Sequence, residues 1–211
     1  MGGLQLYGEN VGHSSYVFVD SLHVSDTYPF AAFGVSSEAS GSVEVDLSNV
    51  TIERTVMAEG WGYQWQAGAL SAGFFGGGRV RMNVTDSVFD NNMGEAASHL
   101  YFWALEGTQA EVRLTRTKLW RGGWSSAALP PSQAPLWSGH EELPGAAIGY
   151  RGLNPRWEAD SRLEIVLDEV DFGTGDRRNL GPTMQGCPVW HEGVVSGRVV
   201  TPLARGEVPC P

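Results

Sequence analysis

An eight-residue pattern recurs five times in this chain of 211 residues, and it constrains the fold more than any other feature of the sequence. Each copy reads apolar, any residue, apolar, then Ser, Thr or Asp, three variable residues and a final apolar residue. The copies are VFVDSLHV from Val17, VDLSNVTI from Val45, MNVTDSVF from Met82, VRLTRTKL from Val112 and IVLDEVDF from Ile165. Self-similarity of this kind predicts structural units that stack on one another.

A second apolar segment, rich in Gly or Ala, precedes each copy. These segments lie around Leu4, Phe33, Leu70, Leu100 and Ile148. Alternation of apolar residues, as at Val45 and Leu47, is the period-2 signature of a half-buried strand. We therefore predict a unit of two short strands joined by a turn. The oxygen-bearing side chain at the fourth position of the pattern suits a further turn, where the chain leaves the second strand, because it can accept hydrogen bonds from nearby backbone N–H groups. The last apolar residue of the pattern is then expected to re-enter the core on the next strand.

The spacing of the copies predicts how the units assemble. Their starts are separated by 28, 37, 30 and 53 residues, so the strands keep their length while the connections vary. This favours a parallel solenoid of about five coils, each hydrogen-bonded to the next at ~4.8 Å. The alternative, an antiparallel sandwich, needs NG or DG hairpin turns, which the sequence lacks. We predict a parallel β-helix over residues 1–175 and a C-terminal capping tail over 176–211 that covers open strand edges.

The repeat resembles right-handed parallel β-helix proteins of the pectin-lyase-like superfamily. The resemblance rests on SVEVDLSNVTIERT and RVRMNVTDSVFDNN, each with a Gly-rich strand upstream, and covers roughly residues 2–175. It implies a right-handed all-β coil and a secreted or cell-surface location. Enzymes of this superfamily use aspartates with a His and a basic residue, or calcium-binding acids with an Arg base. The hydrolase motifs NTD, DD, GHG and RIK are absent from this sequence, so no catalytic residue is carried over.

Charge and hydropathy exclude several partners. The formal charge is −10, and Lys118 is the only lysine among 14 basic residues. Binding to a phosphate backbone or an anionic membrane surface needs clustered cations, so we expect no nucleic-acid partner. No uninterrupted apolar run approaches the ~18 residues of a membrane-spanning helix, so we expect no membrane insertion. The first residues lack a secretory signal pattern, and we expect the chain to be part of a longer extracellular or cell-surface protein.

Aromatic residues in the variable connections are candidate binding residues. Trp61, Tyr63 and Trp65 lie in the enlarged second connection, while Trp120 and Trp124 follow the fourth copy of the pattern. If these connections project on one side, the rings can stack on the apolar faces of sugars. The alternative is that they seal small cores beneath the loops.

Carboxylates near the third copy are the second set of candidates. Asp86 and Asp90 are binding candidates, with Glu95 nearby, and stacking of the coils would bring Asp46 close to Asn83. A glycosidase needs two carboxyl groups at ~5 to 9.5 Å, which such stacking permits. The alternative is that these are solvated turn acids. The histidines show no zinc-ligand spacing and no nucleotide-binding motif occurs, so we expect neither a metal nor a cofactor.

Cys187 and Cys210 are the two cysteines of the chain. A disulfide between them would close a loop of 24 residues, and two buried thiols are the alternative. The sequence as a whole favours a non-catalytic extracellular β-helix module that binds a polysaccharide or a surface protein through its loops. The alternative is a polysaccharide-active enzyme, a lyase or a glycoside hydrolase, with acids on one face of the coils.

Overall fold

A computed structural model describes the greater part of the chain. All structural statements concern residues 4–10, 12–27, 33–56, 67–94, 98–123, 147–151, 161–177, 179, 189–192 and 198–200. Within these ranges the secondary structure is β, apart from one 3-10 turn at Gly175–Arg177. No helix in the described part has the length and apolar character that crossing a membrane requires.

The strands follow one another in a regular order. They are β1 (Leu4–Asn10), β2 (Ser14–Asp20), β3 (His23–Ser25), β4 (Phe33–Ala39), β5 (Ser42–Ser48), β6 (Thr51–Glu53), β7 (Leu70–Phe75), β8 (Arg79–Thr85), β9 (Val88–Asp90), β10 (Leu100–Ala104), β11 (Gln109–Thr115), β12 (Lys118–Trp120), β13 (Ile148–Arg151), β14 (Arg162–Asp168), β15 (Val189–Glu192) and β16 (Arg198–Val200).

These strands form three sheets, and every pairing between described strands is parallel. Sheet A has the order β1-β4-β7-β10-β13-β15, sheet B β2-β5-β8-β11-β14-β16, and sheet C β3-β6-β9-β12. Up to β12 the chain thus visits A, B and C in turn, and β13 to β16 alternate between A and B. The predicted register is confirmed, because the first residues of the five pattern copies are successive partners in sheet B: Val17, Val45, Met82, Val112 and Ile165.

The prediction of a two-strand unit is wrong, because a third strand follows the turn. The last apolar residue of the pattern is the centre of a three-residue strand in sheet C, as Ile52 is in β6 and Phe89 in β9. Three residues are too few for an alternation to be visible in the sequence. In the segment predicted to be a capping tail, β15 continues sheet A and β16 continues sheet B.

The corners between sheets B and C are part of the backbone ladder. The predicted turn residue ends its strand in sheet B, and the next residue adopts a positive φ of 48° to 60°. These corner residues are Ser21, Asn49, Asp86, Arg116 and Glu169. A left-handed conformation costs ~1–2 kcal/mol in residues with a Cβ. Here the corner N–H bonds the neighbouring strand, as from Asn49 N to Thr85 O and from Asp86 N to Thr115 O, both 3.1 Å.

The core lies between the sheets. On the sheet B strands β5, β8, β11 and β14, alternate side chains face inward and are almost completely buried, among them Val45, Leu47, Met82, Val84, Val112, Leu114 and Ile165. The inward residues of edge strand β2, Val17 and Val19, are only half-buried. The other residues of these strands face outward, and the register places outward side chains of neighbouring strands next to each other on the surface of sheet B.

A column of polar side chains is also buried beside sheet C. The Asn92 amide donates to Ile52 O at 2.9 Å and to His99 Nδ1 at 3.1 Å, and its oxygen accepts from Thr55 N and Oγ1 at 3.1 and 2.8 Å. On the other side, the His99 ring nitrogen Nε2 donates to Asn179 Oδ1 at 3.0 Å. Since Nδ1 accepts and Nε2 donates, this geometry requires a neutral imidazole.

Asn179 is the last side chain of this polar column, and it lies in the segment that follows β14. Its Oδ1 also accepts from Gly122 N at 2.8 Å, and its Nδ2 donates to Leu119 O at 2.8 Å and to Phe172 O at 2.7 Å. Gly122 has no room for a side chain, because a Cβ there would overlap the Ser98 hydroxyl and the His99 ring. The glycine therefore leaves room for these two side chains, while its N–H bonds an asparagine that lies 57 residues away in the chain.

The buried imidazole predicts a loss of stability in mild acid. Burial, opposed in part by the hydrogen bond to Asn179, lowers the pKa of His99 from 6.5 to about 4. The folded state then binds fewer protons than the unfolded state between these values, so the free energy of unfolding decreases as the pH falls from 6.5 to 4. The difference corresponds to about 3 kcal/mol. Urea titrations across this range measure it.

His99→Gln is the control variant for this pH dependence, because glutamine keeps a donor and an acceptor but does not titrate. Its free energy of unfolding is expected to change less with pH over the same range. The Asp86 carboxyl has a lowered pKa, so the stability that it contributes is lost mainly toward the acid end of this range and below it, in the wild type and in His99→Gln alike. A wild-type stability that stays constant from pH 6.5 to 4.5 would contradict the assignment.

Candidate functional site

An open groove crosses the outer face of sheet B near the starts of its strands. Its volume is about 640 Å³, and residues from β2, β5, β8, β11 and β14 line it. A volume of this size lies within the range of small-ligand sites. The groove runs from strand to strand, so an elongated ligand lying in it would meet one strand after another at intervals of ~4.8 Å.

Strand alternation selects the side chains that line the groove. In β8, Val80 and Met82 face the core, while Arg79 and Arg81 face outward and are exposed. Register then fixes their neighbours: Arg79 lies between Ser42 and Gln109, and Arg81 lies between Glu44 and Glu111. Across the strands, the groove therefore presents two rows of side chains. One row, with Ser42, Arg79 and Gln109, supplies hydrogen-bond donors, and the other places Arg81 between two glutamates.

The charges of the groove are only partly paired. Arg162 and Glu164 form an ion pair at 3.1 Å, and Glu111 contacts Arg113, outside the groove, at 3.5 Å. The remaining groove charges make no ion pair with any residue that the structure describes, and they are Arg79, Arg81 and Glu44. These three groups are the ones available to a ligand.

Tyr16 provides an aromatic ring at one end of the groove. Its hydroxyl donates to Asp46 Oδ2 at 2.7 Å, and this hydrogen bond raises the pKa of Tyr16. Asp46 Oδ1 also accepts from Asn83 Nδ2 at 2.6 Å, so the predicted proximity of Asp46 and Asn83 is confirmed. The ring is 61% exposed although its hydroxyl is fixed.

Among the predicted aromatic residues, Trp120 can be placed. It ends β12 in sheet C, and its Nε1 donates to Asp171 Oδ2 at 3.0 Å. Arg177 lies over the ring with its Cζ 4.3 Å from the centroid, and Lys118 Nζ lies at 5.1 Å. Cations thus already contact this ring. The other predicted residues lie outside the described part of the chain: Trp61, Tyr63, Trp65, Trp124, Cys187 and Cys210.

Asp86 occupies the corner before the short strand β9 and Asp90 ends that strand, and each receives a two-pronged hydrogen bond from an arginine. Arg116 Nε and Nη2 donate to Asp86 at 2.7 and 2.8 Å, and these bonds lower the pKa of Asp86. Arg121 holds Asp90 in the same way. The alternative of a solvated turn acid does not hold for Asp90, which is 8% exposed and ends a strand that continues the core. These carboxylates link neighbouring corners.

The described residues contain no group of three or more His, Cys, Asp or Glu side chains that could hold a metal ion. No family model matches the chain, and no curated protein or solved structure matches it significantly. A functional argument therefore depends on the geometry of the chain's own side chains.

Sequence reasoning directed to loop aromatics missed the groove. The signal that could have found it is the alternation in RVRMNVT, which places two arginines on the face opposite the apolar residues. Aligning the pattern copies would then have put Glu44 and Glu111 beside Arg81.

Proposed function

We propose that the chain is a right-handed parallel β-helix of about five coils, similar in architecture to the pectin-lyase-like superfamily, and that it serves as a non-catalytic extracellular or cell-surface module that binds carbohydrate. The order A, B, C of the sheets and the continuous parallel register support the coil. Parallel strands of one sheet are connected in a right-handed sense in nearly all proteins, which supports the handedness.

The groove on sheet B is the observation that carries carbohydrate binding. Neighbouring strands lie ~4.8 Å apart, close to the length of one sugar unit in an extended glycan, so successive strands can contact successive sugars. Arg79, Arg81 and Glu44 supply donors and acceptors for hydroxyl or acidic groups, and the fixed, exposed ring of Tyr16 supplies an apolar face for stacking.

The pairing of the predicted acids favours binding over catalysis. Asp86 is held ionised by Arg116, and a carboxylate stabilised in this way is a poor proton donor at neutral pH. Asp90 is similarly engaged by Arg121. Both are better suited to joining corners than to acid catalysis.

A polysaccharide-active enzyme is the second candidate, and one feature of the groove favours it. Glu44 and Glu111 lie on either side of Arg81 in the register of sheet B. Their backbones are two strand spacings apart, ~9.6 Å, near the upper end of the separation between the carboxyl groups of an inverting glycosidase. Reproducible release of reducing ends or unsaturated products, abolished in Glu44→Gln or Glu111→Gln, would favour this candidate over a binding module.

Tyr16→Ala tests the proposed binding site. A glycan microarray first identifies ligands, and isothermal titration calorimetry then compares variants. Loss of the stacking ring is expected to weaken binding about tenfold, since a stacked aromatic contributes roughly 1 kcal/mol beyond its buried area. Phe18→Ala is the matched control, because Phe18 is 59% exposed on the same face of β2 but does not line the groove. Equal losses in both variants, or no glycan binding by the wild-type protein, would refute the proposal.

A further inference from the structure

The free charges of the groove have an order that restricts the ligand. Arg79 and Arg81 lie two residues apart on the same face of one strand, and neither guanidinium group forms an ion pair within the described part of the chain. The strand on one side contributes Glu44, and the strand on the other side contributes Glu111. Along the groove, the two arginines of β8 therefore lie between a carboxylate on β5 and a carboxylate on β11.

We propose that the groove selects a glycan in which an acidic sugar is flanked by neutral sugars, with the carboxylate of the acidic sugar bound by Arg79 and Arg81. This inference rests on the proposed carbohydrate-binding function and names its ligand class. Guanidinium groups recognise carboxylates through charge-assisted hydrogen bonds. The flanking Glu44 and Glu111 accept hydrogen bonds from the hydroxyls of the neutral sugars.

The flanking acids also exclude a competing class of ligand. A homopolymer of uronic acids carries a carboxylate on every sugar, and sugars placed one strand before and one strand after β8 would meet Glu44 and Glu111. Like charges placed opposite each other disfavour that ligand, and such repulsion is a common source of specificity. A fully neutral glycan avoids the repulsion but leaves the two guanidinium groups without an anionic partner.

Three classes of oligosaccharide of matched length test the selection. Hyaluronan and unsulfated chondroitin carry one carboxylate per disaccharide, oligogalacturonate carries one per sugar, and carboxyl-reduced hyaluronan carries none. At moderate salt, the alternating glycans are expected to bind at least tenfold more tightly than the other two classes. Binding of oligogalacturonate or of the reduced glycan as tightly as the alternating ones would overturn the inference but leave carbohydrate binding intact. Absence of binding to every glycan would overturn both proposals.

Substitutions in the groove test which side chains determine the preference among these glycans. Arg79→Gln combined with Arg81→Gln is expected to abolish the preference for the carboxylate, so that this variant binds hyaluronan and the carboxyl-reduced glycan with similar affinity. Lys118→Gln combined with Arg177→Gln is the control, because both cations lie over the Trp120 ring outside the groove and the change removes the same two charges.

Glu44→Gln combined with Glu111→Gln is expected to raise the affinity for oligogalacturonate. Unchanged discrimination in both double variants of the groove would refute the assignment, and thermal melts verify that each variant is folded.

Discussion

Replacement of Val84 by aspartate is expected to abolish cooperative folding. Val84 is fully buried in β8, and its register partners in sheet B are the buried residues Leu47 and Leu114. A carboxylate at this position has no partner among the apolar side chains around it, so it must lose its hydration or force the strands apart. Such changes exceed ~4 kcal/mol, a large fraction of the stability of an ordinary domain.

Val166→Asp is the matched control for this substitution. Val166 lies on β14 of the same sheet but faces outward, and its register partners are Arg113 on β11 and Val200 on β16. The new carboxylate would remain in water beside a cation, so we expect a change in the free energy of unfolding of less than about 1 kcal/mol. Circular dichroism and urea titration of both variants measure the difference. A folded Val84→Asp protein that melts like the wild type would contradict the described register.

Replacement of Asn92 by leucine is expected to destabilise the fold by about 4 kcal/mol, because buried groups that lose their partners each cost roughly 1–3 kcal/mol. Leucine has the same number of side-chain heavy atoms and the same branching at Cγ, so the main loss is of hydrogen bonds. The Thr55 N–H and the Ile52 carbonyl lose the partner that Asn92 provides, and His99 Nδ1 loses its donor. Chemical denaturation of the variant at neutral pH measures this loss.

The adjacent residue provides the control for Asn92. Asn91 is exposed and has a φ of 52°, and Arg54 and Arg121 adopt the same conformation at the equivalent corners of the neighbouring strands. Asn91→Arg is therefore expected to change stability by less than about 1 kcal/mol. If Asn92→Leu lowers the free energy of unfolding no more than Asn91→Arg does, the hydrogen bonds of the polar column do not stabilise the fold, and the prediction is wrong.

The sequence was informative wherever a local pattern repeats. Alternation at Val45 and Leu47, or at Met82 and Val84, was sufficient to predict the strands of sheet B and their parallel register. Sheet C was missed as a separate sheet because its strands have three residues, one of which faces the core. The positive φ of the corner residues was also missed, since residues as different as Asn49 and Arg116 adopt it.

The candidate site and the polar column were harder to predict for different reasons. The groove needs the register of five strands before Arg81 can be placed between Glu44 and Glu111. The polar column needs Asn179 to reach His99 from 80 residues away, which no local pattern encodes. Sequence reasoning favoured the loop tryptophans because large rings are conspicuous, whereas charged side chains on a strand look like ordinary solvated surface.

The hydrogen-bonded corners restrict where the molecule can acquire new sequence. At the junction of sheets B and C the chain turns through a single left-handed residue whose amide is bonded to the adjacent strand, so an extra amino acid there would shift the phase of the sheet C strand that follows. The path from sheet C back to sheet A varies from copy to copy in length. Evolutionary insertions, and peptides grafted by an engineer, are therefore accommodated along that path, while the alignment of the groove is preserved.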